Sequence, residues 1–288
     1  MRPTIIVKNW NDTLAKSALR LLKQRPETSL SLLSHLKLHG PYRTQDELSG
    51  DYQCLVHGGN VIAVFMINGF GRLFLQTDRA MDYSEIILQV ISSEIKTLTG
   101  FVGDWELTQF FSSTLQLHFP TFQPTVCKKE ILYRYDLNQL TPEADNPQVR
   151  FLNTDDYPAW HQLNLAFCQE LNSAVFHFDS QRETRYQQEA NRRHWWGLFL
   201  DQRLVAISTY LAQFENYAQI GGVFTDPSVR NQGLAKQLMK KIMQDSKNKH
   251  GIDHLTLFTH ETNHVAQKVY ETLGFKRIGY FDLTLCKF

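Results

Sequence analysis

The sequence has few cysteines, and they follow no pattern. The four cysteines, at positions 54, 127, 168 and 286, are far apart and form no Cys-x-x-Cys spacing. A disulfide framework and a cysteine-rich zinc site both need cysteines in regular spacing, so the sequence supports neither. We expect reduced thiols that are mostly buried as small hydrophobic groups, in a cytoplasmic protein that binds no metal.

Long apolar runs and an excess of charge are also absent. No stretch approaches the roughly eighteen apolar residues of a membrane span. The start of the chain, MRPTIIVKNWNDTLAK, lacks the apolar core of a secretory signal. Lys and Arg number 30 and Asp and Glu 29, which leaves a formal charge of +1. Because nucleic-acid-binding proteins usually carry a clustered basic excess, we expect neither a nucleic acid nor a membrane as partner.

A polar segment divides the chain into two halves of similar length. Residues 136–151, DLNQLTPEADNPQVRF, contain two prolines and little apolar periodicity, which is typical of a linker. We therefore predict an N-terminal domain over residues 1–138, a linker over 139–149 and a C-terminal domain over 150–288. Each domain has an ordinary size.

Both halves show helical and strand patterns in a similar order. In the C-terminal half, two helices precede three strands, WGLFL, LVAISTYLAQF and AQIGGVFT, the last of which carries Gly221 and Gly222. A helix from about 233 to 248, a short strand HLTLFTH and a helix that ends at Gly274 follow. The order predicts an α/β fold with a mixed sheet that arose by internal duplication.

The connection between the third strand and the next helix suits an anion. In VFTDPSVRNQGLA, Arg230 and Gly233 stand where a helix begins and its first N–H groups have no partner within the helix. Gly233 lets a ligand approach the backbone and Arg230 adds a positive charge, so a diphosphate would fit. The glycine pair would separate the preceding strand from its neighbour. An extended ligand with amide groups could then pair with the free edge at Val223, Phe224 and Thr225.

Two sequence blocks in residues 150–288 resemble the coenzyme A site of the GNAT N-acetyltransferase superfamily. They are V-F-T-x-P-x-x-R-x-x-G-x-A and N-x-x-A-x-x-x-Y-x-x-x-G-F. The resemblance implies tandem GNAT-like domains, each a mostly antiparallel twisted sheet with flanking helices and a splayed central strand pair. It also implies acetyl-CoA as cosubstrate and a primary amine of a small molecule or peptide as acceptor. The matching residues are Val223, Phe224, Thr225, Pro227, Arg230, Gly233, Ala235, Asn263, Ala266, Tyr270, Gly274 and Phe275.

The resemblance implies a role for most of these residues. The turn at Arg230 would bind the pyrophosphate, the strand edge at 223–225 would pair with the pantetheine arm, and Asn263 and Ala266 would contribute to coenzyme binding. Tyr270 would protonate the departing thiolate, since a hydroxyl with an ordinary pKa near 10 is protonated at neutral pH. Plainer roles stay open, because Asn263 could only cap a helix and Tyr270 could only fill the core. The amides at the pyrophosphate would be those of Asn231, Gln232, Gly233, Leu234 and Ala235.

The two blocks do not identify the group that accepts the amine proton. The resemblance places such a group on the strand before the turn, where Glu215 is the nearest carboxylate. If FEN is a hairpin turn, however, Glu215 would face solvent. His260 and Glu261, at the end of a predicted strand, are further candidates. His177 would lie in a loop that faces the substrate if its segment connects the two early helices, and a histidine of the core is the alternative that the pattern favours.

The N-terminal half departs from the coenzyme pattern. No Arg-x-x-Gly-x-Ala follows GRLFLQTD, and Asp78, Asp82 and Glu85 would repel a diphosphate there. We therefore expect this half to shape the acceptor cleft or to replace a second subunit, in a monomer or homodimer. A non-catalytic acyl-CoA-binding or sensing protein is the alternative function. An aminoacyl-tRNA-dependent transferase is a third hypothesis, which the near-neutral charge and the intact turn disfavour.

Overall fold

The N-terminal half forms a sequence of strands and helices that begins and ends with a strand. The computed structural model describes residues 4–78, 83–142, 144–171 and 181–288, so His177 and Asp82 lie outside the described residues. The elements of this half are β1 (Ile6–Asn9), α1 (Asp12–Gln24), α2 (Pro26–His39), β2 (Gln53–His57), β3 (Asn60–Ile67), β4 (Arg72–Thr77), α3 (Ser84–Ile91), β5 (Gly100–Asp104), α4 (Trp105–His118) and β6 (Gln123–Asp136).

The C-terminal half repeats this order element by element, as the predicted duplication requires. Its elements are β7 (Val149–Phe151), α5 (Tyr157–Glu170), α6 (Arg182–Asn191), β8 (Trp195–Leu200), β9 (Arg203–Phe214), β10 (Tyr217–Thr225), α7 (Leu234–His250), β11 (His254–His260), α8 (His264–Thr272) and β12 (Lys276–Lys287). The short edge strands β1 and β7 were not predicted. They contain only four and three residues, too few to show a periodic pattern.

A helical run in the N-terminal half is broken into α1 and α2. Pro26 occupies the first turn of α2, where its missing N–H costs nothing. Arg25, just before it, has φ −135° and is outside helical geometry. The residue before a proline avoids the helical region, so the break follows directly from the sequence.

A single sheet of twelve strands connects both halves among the described residues. Its order is β1-β2-β3-β4-β5-β12-β6-β11-β10-β9-β8-β7. Of the strand pairs in the described part of the chain, only β4–β5 and β10–β11 are parallel. The predicted α/β class with a mostly antiparallel mixed sheet is therefore confirmed.

The last strand of each half is paired within the other half. β12 lies beside β5, with Phe281 opposite Asp104, and β6 lies beside β11, with Glu130 opposite His260. β12 and β6 also pair with each other at the centre of the sheet. Neither half completes its sheet with its own residues alone. The domain boundaries at 138 and 150 stay a prediction about the sequence, because the sheet does not divide there.

Phe281 links the two halves through the hydrophobic core. Its side chain is only 2% exposed and stacks on Phe258 of β11, with ring centroids 4.9 Å apart. Leu22 of α1 and Leu33 of α2 belong to the same buried cluster. The ring therefore lies in a core to which both halves contribute side chains.

We predict that Phe281→Ala lowers the free energy of unfolding by about 3–5 kcal/mol, because it leaves a cavity where both halves meet. Urea unfolding followed by circular dichroism should show one transition at a lower midpoint. Leu117→Ala on α4 is the control, since that side chain is 75% exposed, and it should change the free energy by less than about 0.5 kcal/mol. Two separate transitions in the wild type would contradict an interlocked sheet.

Candidate functional site

β10 and β11 are neighbours at one end only. Tyr217, Ala218 and Gln219 pair with residues 254–256, and no pair follows. From Ile220 to Thr225, β10 has a free edge on the β11 side, while its other edge stays paired with β9 as far as Thr225. The strands therefore diverge towards their carboxyl ends. In the N-terminal half, β4 and β5 stay paired through Leu75 and Gly103, almost to their ends.

A bulge at the glycine pair redirects β10. The register with β9 shifts between Gly221 and Phe224, and Gly222 has φ 58°, in the left-handed region that favours glycine. Leu211 of β9 fills the space beside Gly221, where an added Cβ would come within 2.3 Å of Leu211 Cδ1. A bulge bends a strand and increases its twist. The two glycines are thus the local cause of the opening.

The turn between β10 and α7 presents backbone amides that have no partner. Among the described residues, the N–H groups of 231–236 donate no hydrogen bond, and the first bond at this end runs from Gln237 N to Gly233 O, 3.1 Å. Asn231 and Gly233 have φ 64° and 75°, and nothing lies within 4 Å of a Cβ added at Gly233. The amides stand at the positive end of a 17-residue helix. Such an exposed group of donors suits a phosphate.

Arg230 is held by protein groups on both sides of this turn. Its Nε donates to Thr225 O at 3.0 Å, and its Nη2 donates to Glu170 Oε2 at 2.6 Å. The guanidinium lies 5.3 Å from the ring centroid of Phe224. Glu170 is the last residue of α5 and is half exposed. An anion at the turn would compete with Glu170 for this arginine.

α8 carries the residues of the second sequence block. Asn263 is the N-cap, and its Oδ1 accepts from Ala266 N at 3.2 Å, while the residue stays exposed. Tyr270 is 6% exposed and packs edge-to-face on Tyr133 of β6, with centroids 6.0 Å apart. Burial, followed by the negative charge of Glu130, raises the pKa of Tyr270. The phenol is therefore held in its neutral, proton-donating form.

Glu215 does not lie at this opening. It occupies the tight turn between β9 and β10 with φ 49° and forms an ion pair with Lys23 of α1 at 2.6 Å. The nine residues of β10 separate it from Arg230, and at about 3.3 Å per residue this is roughly 30 Å. The sequence allowed FEN to be a hairpin turn with Glu215 facing solvent. The structure contains this turn.

The other candidate proton acceptors lie near the opening or outside the described residues. His260 is the last residue of β11, and its Nδ1 lies 2.8 Å from Thr262 Oγ1. Glu261 follows and is exposed. Gln219, where β10 and β11 begin to diverge, is 2% exposed, but an amide does not accept a proton at neutral pH. β10 itself contains no carboxylate.

Sequence reasoning missed Glu130, which β6 places opposite His260. Its side chain is 6% exposed, and burial raises its pKa to about 7, with Lys128 lowering the pKa and Asp282 raising it. Within the described residues, its carboxylate forms no hydrogen bond or ion pair. The only signal in the sequence was a lone acid ahead of the apolar run ILY in KKEILYRYDL. Nothing in that run indicates pairing with a strand of the other half.

In the N-terminal half, the described residues at the end of β4 are covered by α2. Gln76, near the end of β4, is fully buried; its Oε1 accepts from Thr28 Oγ1 of α2 at 2.8 Å, and its Nε2 donates to Thr77 O at 2.9 Å. α2 thus covers the end of β4.

Across the described ranges, no group of three potential ligands could hold a metal ion. No helix in the same ranges is long and apolar enough to cross a membrane.

Comparison with known proteins gives a family for the C-terminal half. A model of the acetyltransferase (GNAT) family matches residues 158–275. The sequence matches no curated protein. The matched residues 158–275 include the divergent strands β10 and β11, the amide turn and α8.

Solved structures of similar fold cover almost the whole chain. A GCN5-related N-acetyltransferase from Sphaerobacter thermophilus has 13% identity and a TM-score of 0.64, over 98% of this chain and 95% of that chain. An acetyltransferase of the GNAT family from Colwellia psychrerythraea has 15% identity and a TM-score of 0.54, over 98% and 100%. A tandem GNAT protein from the clavulanic acid biosynthesis pathway has 14% identity and a TM-score of 0.54, over 98% of each chain. At these identities the likeness shows the fold.

The buried strands, the glycine bulge and the amide turn all lie within the matched segment. Residues 158–275 therefore form a domain of the acetyltransferase (GNAT) family, in a chain with the tandem GNAT fold.

Proposed function

We propose that the protein is an acetyl-CoA-dependent N-acetyltransferase that acts on a primary amine of a small molecule or peptide by direct attack. The observation that carries this proposal is the row of unpartnered amides at 231–236 beside the free edge of β10. The two features fit the two parts of coenzyme A, since a diphosphate needs several donors and an extended amide-bearing arm needs a strand edge. When bound, the thioester supplies the acetyl group.

The residues around the opening would each contribute to the transfer. Val223 and Thr225 on the free edge of β10 would align the ligand arm, and the turn amides would fix its charged end. Tyr270, kept neutral by burial, would donate a proton to the leaving sulfur. A carboxylate at the opening would take a proton from the amine, because only an uncharged amine can attack a carbonyl carbon.

A non-catalytic acyl-CoA-binding protein is the second candidate function. The absence of any carboxylate on β10 and the distant position of Glu215 favour it. The two candidates agree on coenzyme binding and differ in amine-dependent turnover.

We predict that Gly233→Asp weakens coenzyme A binding at least tenfold in calorimetry, since a carboxylate would stand among the amides that hold the diphosphate. Gly251→Asp is the matched control. Gly233 and Gly251 flank the two ends of α7 with φ 75° and 65°, and an added Cβ meets nothing within 4 Å at either. Both variants carry the same strain and charge, so equal effects on binding would contradict a coenzyme site at Gly233.

We predict that Glu170→Gln tightens coenzyme A binding by about threefold to fivefold, because Arg230 no longer has to leave a carboxylate; an exposed ion pair contributes up to about 1 kcal/mol. The gain should shrink as salt is added. Asp155→Asn is the control, an exposed acid before the amino end of α5, whereas Glu170 is at its carboxyl end. Weaker binding in Glu170→Gln would mean that Glu170 positions Arg230 for the coenzyme.

We predict sustained release of free thiol from acetyl-CoA when a panel of primary amines is added, above the rate of hydrolysis. Tyr270→Phe should lower kcat about 10²-fold or more while leaving coenzyme binding unchanged. Tyr280→Phe is the control, since that ring is 46% exposed on β12. Tight coenzyme binding without amine-dependent thiol release would favour the sensing protein, and full turnover in Tyr270→Phe would exclude Tyr270 as the proton donor.

A further inference from the structure

Among the described residues, no group forms a hydrogen bond or ion pair with the carboxylate of Glu130, whose side chain is only 6% exposed. Phe281 lies directly opposite it on β12, and Leu132 is the next residue on the same face of β6. Burying a carboxylate without hydrogen bonds is costly, so such groups are rare. Asp282, also fully buried, shows the contrast, because it accepts from Thr284 Oγ1 at 2.7 Å and Gln109 Nε2 at 3.3 Å. Hydrogen bonds within the protein thus stabilise the buried carboxylate of Asp282. No such bond among the described residues stabilises the carboxylate of Glu130.

The position of Glu130 relates it to the C-terminal site alone. Four directly paired residues cross the centre of the sheet: Asp104 on β5, Phe281 on β12, Glu130 on β6 and His260 on β11. Glu130 stands opposite the last residue of β11, and Phe281 stands opposite the last residue of β5. The two positions are equivalent in the duplicated fold. The half with an open strand pair therefore receives a carboxylate, and the half with a closed pair receives a phenyl ring.

The charge of Glu130 also reaches the second candidate catalytic group. The negative carboxylate contributes to the raised pKa of Tyr270 on α8. Tyr270 packs on Tyr133, whose side chain lies on the other face of β6 from Glu130 and Leu132, so the carboxylate acts on the hydroxyl across the strand.

We propose that Glu130, which β6 brings from the N-terminal half, is the catalytic residue that removes a proton from the acceptor ammonium in the C-terminal site. This inference rests on the proposed function. The carboxylate takes one proton from R–NH₃⁺, and the nitrogen lone pair then forms a bond to the thioester carbonyl carbon. The carbon–sulfur bond breaks, the thiolate receives a proton from Tyr270, and Tyr270 regains one from the amide nitrogen. Glu130 finally releases its proton to solvent.

The charged and titratable neighbours of Glu130 suit this role. They are Lys128 on β6, His260 on β11, Asp282 on β12 and Tyr270 on α8. With a pKa of about 7, the carboxyl group is partly ionised at neutral pH and can both accept and release a proton. As the pH falls through this value the group becomes protonated, so the transfer to an alkylammonium should slow on the acid side.

The test compares two nucleophiles in wild type and Glu130→Gln, with acetyl-CoA as donor. Hydroxylamine is largely uncharged at neutral pH, whereas the alkylamine probes, spermidine, glucosamine and a lysine-containing peptide, are protonated. We expect Glu130→Gln to lower kcat for the best alkylamine at least about 100-fold and to change the hydroxylamine rate by less than about threefold. The limb near pH 7 in the alkylamine pH profile should be lost, so that the rate follows the fraction of uncharged amine up to the pKa of the amine, and coenzyme A affinity should stay unchanged. Glu106→Gln, an exposed acid on α4, should behave as wild type.

Other outcomes overturn the inference in distinguishable ways. An equal loss with both nucleophiles would give Glu130 a structural role only, and an unchanged alkylamine rate would show that another group takes the proton; in either case the proposed function stands. If the wild type accelerates acetyl transfer to hydroxylamine but to none of the alkylamines, there is no ammonium for Glu130 to deprotonate. This result would also overturn the inference. If coenzyme A binds but the wild type accelerates neither nucleophile, the proposed function itself fails.

Discussion

The antiparallel ladder between β6 and β12 is the contact on which the rest of the structure depends. It runs from Lys276 opposite Arg134 to Lys287 opposite Gln123 and joins the last strands of the two halves. Each of these strands also pairs with a strand of the other half. The ladder therefore joins the strands of both halves into one continuous sheet. β6 brings Glu130 of the N-terminal half beside the last residue of β11, and α2 also contacts β9 directly, since Ser34 Oγ accepts from Gln213 N at 3.3 Å. The ladder therefore makes one structure out of a duplicated sequence.

Among the described residues, only the C-terminal half has an open strand pair. In the C-terminal half, the bulge at Gly222 separates β10 from β11, and the turn at Gly233 keeps its amides free. In the N-terminal half, β4 and β5 remain paired, and Thr28 of α2 is bonded to the buried Gln76. We expect differences of this kind if the N-terminal half has only to support the C-terminal half. They agree with the hypothesis that the first half replaces a second subunit.

Local sequence patterns predicted what local interactions determine. The periodicity of strands β8 to β11, the stripe of α7 and the glycines at 221, 222 and 233 each specify a shape within a few residues. The exchange of β6 and β12 could not be predicted, because backbone hydrogen bonds pair strands with little regard to side chains. The pairing of Glu130 with His260 depends on that exchange, and the ion pair between Glu170 and Arg230 depends on a contact between residues that are 60 positions apart. Glu215 was the nearest acid in sequence, but the tight turn places it at the far end of β10.

The strand exchange also explains how an ordinary glutamate acquires a pKa near neutrality. Glu130 has β11 on one side and β12 on the other, so its backbone is fixed by ladders at both edges and its side chain stays only 6% exposed. Loss of hydration favours the protonated form, and this is the largest cause of its raised pKa. If β6 were an edge strand, the same carboxylate would be hydrated and ionised well below neutral pH, and it would be a weaker base. The contact that holds the two halves together is thus also the one that makes Glu130 basic enough to accept a proton from an amine.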